Sequence, residues 1–481
     1  MKRSRGSQPS GRKPGKDNSG ASRGSERSQY ERGRSGSGSR KNRERRGSGW
    51  PSAAEHQRPL EPPSPSATQQ RFDLAPDPSA AIPIVVLKTR ISQVAVYRKQ
   101  IDRVERARHG DLVAVYSRDR QLLGYGLYNG RSEMSLRMLW RDPELPVEAS
   151  WDRLLENAVH LRRDLLHLDR TTNTYRVLHA EADGFPGLVV DRFGDVLSAE
   201  AFSLGMYQRA TALLQRLGSV LGTQHYLIQT SPQFLSQEGY DPAGVASTGC
   251  PQEVIVQEYG TRFKVRFTGG HKTGFFCDQR ENRRRLAEFC EAKSVLDLCC
   301  YTGGFSVQAA KLGNAAEVTG VDLDEEPLKV ARENAGLNQV RARFVQSDAF
   351  NYMRDMLAVG RQFDVVVLDP PKLIRSRSEI EEGTRKHFDL NRLAMRLVRP
   401  GGLLLSCTCA GLLPEQEFVN LLINAARQGG EEISAATADK AARHASRPMQ
   451  IIARSGAAPC HPVGSSCPET EYLKAVWMVL G

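Results

Sequence analysis

Between Val295 and Ser406 the chain repeats one pattern: a short apolar run, a turn, then a stretch with helical spacing. The runs are Val295–Leu298, Val318–Asp322, Arg343–Asp348, Asp364–Asp369 and Gly402–Ser406. The segment Pro327–Leu337 is one of the intervening helical patterns. Continuous apolar strands alternating with helices define a parallel, doubly wound sheet with helices on both faces. Such a sheet binds ligands at the carboxyl ends of its strands, near the point where strand order reverses.

Four Asp residues mark that edge. Asp297 lies within the first strand, and Asp322, Asp348 and Asp369 close three others, at intervals of 25, 26 and 21 residues. The first strand runs into Tyr301-Thr-Gly303-Gly-Phe305, where paired glycines permit a tight turn and close approach of a ligand. The G-x-G-x-x-G fingerprint is absent, and no helix N-terminus is expected to face a pyrophosphate. A ligand with a ribose and an adenine but no phosphates suits the edge better. Asp322 is placed for ribose hydroxyls, and Asp348 for an adenine amino group, with Phe350 beside it. The structural alternative is that these carboxylates cap the following helices.

Two further features bring reactive groups to the same edge. Asp369-Pro-Pro-Lys372 follows one strand, and Cys407-Thr-Cys409-Ala-Gly411 follows the next. A carboxylate and a thiol at neighbouring strand ends suit attack on a pyrimidine ring. If the strand stays extended, Cys407 and Cys409 share a face. Cys299 and Cys300 read as core packing near the glycine turn. No second Cys pair has the spacing of a metal site, so no metal is expected.

The rest of the 481 residues supports this region. Residues 1–80 are rich in Ser, Gly, Arg and Pro and poor in aliphatics, and are expected to be disordered. Residues 1–70 hold 16 basic and 6 acidic residues, so +10 of the net +12 lies there and the body is near neutral. The tail reads equally as an RNA tether or as a solubilising segment. Residues 83–150 read as a small β domain, with strands at Ile82–Leu87, Val94–Tyr97, Asp111–Tyr116, Leu122–Tyr128 and Met134–Leu139. A helix follows at Trp151–Leu166. Residues 155–255 read as a middle α/β section, with a hairpin over Gly184–Asp195 and a helix at Met206–Leu217. Residues 256–481 complete the doubly wound domain. No apolar run reaches the roughly 18 residues of a membrane span. With no secretory signal and scattered cysteines, a cytoplasmic location is expected.

The ordered motifs D-L-C-C-Y-T-G-G-F, V-D-L-D, S-D-A-F and D-P-P-K resemble the class I S-adenosylmethionine-dependent methyltransferases. Phe267–Arg280, Asp369–Lys372, the Cys-bearing strand end, His461-Pro-Val and Tyr472-Leu-Lys474 narrow the resemblance. They are similar to the bacterial large-subunit ribosomal RNA methyltransferases that make 5-methylcytosine and carry an N-terminal PUA domain. The resemblance covers residues 83–481. It implies a Rossmann-like methyltransferase domain, a PUA-like RNA-binding module at 83–150, S-adenosyl-L-methionine as cofactor and ribosomal RNA as partner, with no membrane. Asp297, Tyr301, Gly303, Asp322, Asp348, Phe350 and Arg280 are then the cofactor candidates. Tyr301 stands where many methyltransferases have Gly, a change the family tolerates.

Cytosine carbon 5 is too weak a nucleophile to take a methyl group directly, so the chemistry needs a thiolate adduct at carbon 6. In the family the nucleophile precedes a small residue and a Gly-Leu pair, which selects Cys409 here, with Cys407 as its rival. Asp369 is the candidate for stabilising charge on the ring. Methylation of an exocyclic nitrogen, action on another RNA, and a non-catalytic RNA-binding assembly factor remain as alternatives. The oligomeric state stays open, with a homodimer among the options.

Overall fold

The computed structural model describes residues 68–77, 79–267, 274–428 and 446–481. Most of the expected disordered tail, together with His271 and Lys272, lies outside the described residues. The tail boundary needs correction, because residues 68–77 pack on the body. Leu74 is buried and its carbonyl accepts from the Trp151 indole at 3.1 Å. The Arg71 guanidinium bonds Asp111 at 2.8 Å. One apolar anchor with satisfied polar neighbours is enough to order a short polar segment.

The first domain is a six-stranded mixed sheet in which the expected strands all appear, at Ile84–Leu87, Ala95–Val96, Leu112–Ser117, Leu122–Tyr128 and Leu136–Trp140. A sixth strand, Ile101–Glu105, was not expected. It forms one edge of the sheet and carries three charged residues, so its sequence lacks an apolar run. The next helix spans Glu148–His160 and continues as a π-turn over Leu161–Leu165. The middle section is a five-stranded sheet with one long helix, Leu204–Leu221. Its hairpin turns on Gly194-Asp195 between Phe193 and Val196, with Gly194 at φ 62°. A two-stranded hairpin, Glu253–Glu258 with Thr261–Arg266, leads into the last domain.

That domain holds strands β1 (Ser294–Leu298), β2 (Glu317–Asp322), β3 (Arg343–Gln346), β4 (Phe363–Leu368), β5 (Val398–Thr408), β6 (Met449–Ser455) and β7 (Lys474–Leu480). Its helices are α1 (Arg280–Ala287), α2 (Gly304–Lys311), α3 (Glu325–Leu337), α4 (Ala349–Ala358), α5 (Ile380–Leu397) and α6 (Glu415–Arg427). The sheet order is β3-β2-β1-β4-β5-β7-β6. The five expected strands are parallel, and β7 runs antiparallel between β5 and β6. The sheet is therefore mixed, where the sequence suggested a purely parallel one. Val365, Val366, Val367 and Leu368 are fully buried, because helices cover both faces of β4. Each such side chain contributes roughly 1.5–3 kcal/mol by leaving water. The order reverses between β1 and β4, which puts the ends of β1, β2, β4 and β5 on one rim.

Candidate active site

The turn after β1 is held in a conformation few sequences adopt. Cys299, Tyr301 and Gly303 have φ of 61°, 51° and 76°. The backbone N–H of Tyr301 donates to Asp322 Oδ2 at 2.8 Å, and that of Cys300 to the Val321 carbonyl at 3.0 Å. The end of β2 thus fixes the turn that follows β1. At Gly303 a Cβ would lie 3.0 Å from the Ala331 side chain and 3.1 Å from the Phe344 ring, so glycine is favoured by angle and a larger residue would press on both neighbours.

One expectation is corrected here: α2 begins directly after this turn, so a helix N-terminus does lie at the edge. Its first turn is already engaged. Asp297 accepts from Ser306 N at 2.9 Å and from Ser306 Oγ at 2.6 Å. A buried carboxylate already serves as the anion at this helix end, which is the role a phosphate would otherwise take.

Burial pushes the Asp297 carboxyl up to about 7, with the Asp322 charge adding to the effect against the Ser306 hydrogen bonds. A raised carboxyl pKa favours the folded state at low pH, and the benefit is lost as pH rises from 3.8 through about 7. The full span is worth about 4 kcal/mol. Asp297→Asn should therefore gain stability relative to the parent as pH increases from 5 to 8, measured by thermal unfolding. A pH-independent difference between the two would contradict the shift.

Capping explains part of the Asp series. Asp348 lies two residues beyond β3 and its Oδ1 accepts from Asn351 N at 3.0 Å, capping α4. Asp324, not Asp322, caps α3. Asp322 Oδ1 instead accepts from Asp324 N at 3.0 Å. Phe350 lies half-buried in the first turn of α4. Tyr301 packs edge-on against Phe276, and burial pushes its phenol up to about 12.

On the other side of the reversal, β4 and β5 are adjacent and parallel, with Leu368 beside Ser406. Asp369 and Cys407 follow these residues directly. Gln279 Nε2 donates to Asp369 Oδ2 at 3.0 Å. Gln279 is itself held by Asn282 at 2.7 Å, Asn282 by Ser455 at 2.8 Å, and Ser455 by the Trp477 indole at 2.8 Å. This relay fixes Asp369 from beneath. The sequence reading passed over it, although Gln279, Asn282 and Arg283 repeat at helical spacing on one buried face.

The two thiols differ sharply. Cys407 is 0 % exposed within the core, and burial followed by the Asp369 charge pushes its thiol well above the usual range. β5 ends at Thr408, so the extended geometry that would align both thiols stops one residue short of Cys409. Cys409 is half-buried at the strand end. Arg280 is fully buried rather than open to the edge. Its Nη1 donates to Cys460 Sγ at 3.3 Å and its Nε to Glu281 at 3.1 Å, while Nη2 is buried without a partner among the described residues.

A β3-β2-β1-β4-β5-β7-β6 sheet with a glycine turn after β1 and an acidic residue closing β2 defines a class I S-adenosylmethionine-dependent methyltransferase. Known proteins agree. Residues 187–429 match the S-adenosylmethionine-dependent methyltransferase family, and residues 92–141 match a PUA-like domain. Ribosomal RNA large subunit methyltransferase I of Aeromonas hydrophila is 35 % identical over 389 residues, covering 79 % of this chain and 94 % of the relative. The enzyme of the same name from Shewanella denitrificans is 33 % identical, covering 76 % and 89 %. The chain belongs to the ribosomal RNA large subunit methyltransferase I family. A solved Streptococcus mutans chain assigned to SAM-dependent methyltransferases covers 82 % of this chain and 99 % of its own at 17 % identity and a TM-score of 0.65, which shows a shared fold.

One observation on the rim is compatible with a bound polar group: Asp297 Oδ1 is buried without a partner among the described residues. Among the described residues no helix is long and apolar enough to cross a membrane.

Proposed function

We propose that this methyltransferase modifies cytosine at carbon 5 in large-subunit ribosomal RNA through a covalent Cys409 adduct. One observation carries the reading: parallel neighbours β4 and β5 end in a relay-held carboxylate, Asp369, and a half-buried thiol, Cys409. The names of the relatives support ribosomal RNA as substrate. The PUA-like domain supports RNA contact. Residues 83–150, 155–255 and 256–481 act in this reading as RNA-binding, connecting and catalytic domains.

S-adenosylmethionine supplies an electrophilic methyl group on a sulfonium. The Cys409 thiolate adds to ring carbon 6, and the S–C bond loads electron density onto carbon 5. Asp369, sharing a proton with the ring nitrogen edge, stabilises that charge. Carbon 5 takes the methyl group, with S-adenosylhomocysteine as the neutral leaving thioether; a base then removes the proton from carbon 5, and elimination breaks the S–C bond at carbon 6 to return the thiolate. Asp322 would hold the ribose and Asp348 the adenine amino group, with Phe350 beside it. Tyr301 and Gly303 shape the turn, and Asp297 anchors it to α2.

The test uses large-subunit ribosomal RNA tritiated at cytosine carbon 5. Tritium should leave in step with methyl incorporation. Methyl incorporation without tritium release would replace this reading with methylation of an exocyclic nitrogen, and cofactor binding without incorporation would favour an assembly factor.

A further inference from the structure

Lys474 belongs to a C-terminal motif to which the chemistry above gives no task. It opens β7 opposite Thr408 and is only 7 % exposed. Its Nζ donates to the Ala410 carbonyl at 3.0 Å, on the residue directly after Cys409. Among the described residues it makes no ion pair. A buried ammonium without a carboxylate partner is costly unless another anion faces it.

The charges that face it are few. Burial, the largest influence, lowers its pKa; Glu471, Cys409 and Glu415 favour its charged form, and Lys372 opposes it. Glu415 is also engaged by Arg454 at 3.1 Å. Cys407 feels the Asp369 carboxylate, and Cys409 feels the Lys474 ammonium.

We propose that Lys474 is a positioning residue that supplies a fixed positive charge to the Cys409 sulfur and keeps it a thiolate. The inference rests on Cys409 as nucleophile. The thiol proton leaves to solvent before substrate adds, and the ammonium keeps its own protons throughout. The Ala410 hydrogen bond ties the charge to the strand end, so charge and sulfur move together.

The test follows alkylation of each cysteine by iodoacetamide, peptide by peptide, on the full-length protein from pH 5 to 10. Lys474→Gln keeps a donor for Ala410 without the charge, and Lys474→Met removes both. Both should raise the midpoint of Cys409 alkylation by at least about one pH unit, an approximately tenfold loss of thiolate at neutral pH. Lys474→Arg should keep the parent midpoint, and the acid limb of the kcat profile should move with the alkylation midpoint in each variant. A Lys474→Gln profile that superimposes on the parent overturns the proposal, as does a Lys474→Arg profile displaced as far as that of Lys474→Gln. Retained 5-methylcytosine formation by Cys409→Ala would instead strike the nucleophile assignment, whatever the alkylation profiles show.

Discussion

Cys409→Ala should lower methyl transfer to cytosine carbon 5 by at least about 10⁴-fold, the scale seen when a covalent nucleophile is removed. Affinity for S-adenosylhomocysteine should change little, since Cys409 lies at the end of β5 and the expected cofactor contacts lie at the ends of β1, β2 and β3. Cys407→Ala should behave in the opposite way. It removes a fully buried sulfur from the core and should cost roughly 1–2 kcal/mol of stability, with kcat reduced only a few fold. RNA carrying 5-fluorocytosine separates the two thiols independently of rate. Fluorine cannot leave as a proton does, so the adduct persists and can be mapped. It should form on Cys409 in the parent and in Cys407→Ala, and be absent from Cys409→Ala. An adduct on Cys407 would reverse the assignment.

The sequence was legible where chemistry and periodicity coincide. Continuous apolar runs located β1 to β5, because strands buried on both faces carry no alternation to confuse the reading. The positions of Asp297, Gly303 and Asp322 followed from where those strands end. Edge strands were harder to see. Ile101–Glu105 and β6 alternate or carry charges, and their apolar content is too low to mark them. The relay beneath Asp369 was illegible for another reason. It joins Gln279 and Asn282 at the start of α1 to Ser455 and Trp477 in the last two strands. Partners up to 173 residues apart leave no local pattern. Arg280 shows the converse error: an Arg in a distinctive motif suggested an anion contact at the open rim, and the fold buries it against Cys460 and Glu281.

The largest expected loss of stability comes from a residue with no part in the chemistry. Arg283 on α1 is almost fully buried and faces Glu258, which is fully buried at the end of the hairpin. Three contacts join them, Nη2 to Oε1 at 2.7 Å, Nη2 to Oε2 at 2.8 Å and Nε to Oε2 at 3.1 Å. Nη1 donates to the Phe276 carbonyl at 2.9 Å, and the guanidinium lies 4.7 Å above the Phe275 ring. The side chain also backs the cofactor turn, where a Cβ at Gly304 would sit 3.0 Å from Arg283 Cδ. Arg283→Met leaves a carboxylate buried without its cation and should cost about 3–5 kcal/mol, with weaker cofactor binding because the turn loses its support. The sign of its pH dependence is fixed. Burial already pushes the Glu258 carboxyl upward, with Arg283 opposing, so removing Arg283 raises it further. The deficit should shrink toward pH 5, where the carboxyl takes a proton, and grow toward pH 8. Glu258→Gln in the Arg283→Met background removes the unpaired charge and should recover part of the loss at pH 8 but little at pH 5. A deficit equal at both pH values, unmoved by the second substitution, would mean that Arg283 acts through packing alone.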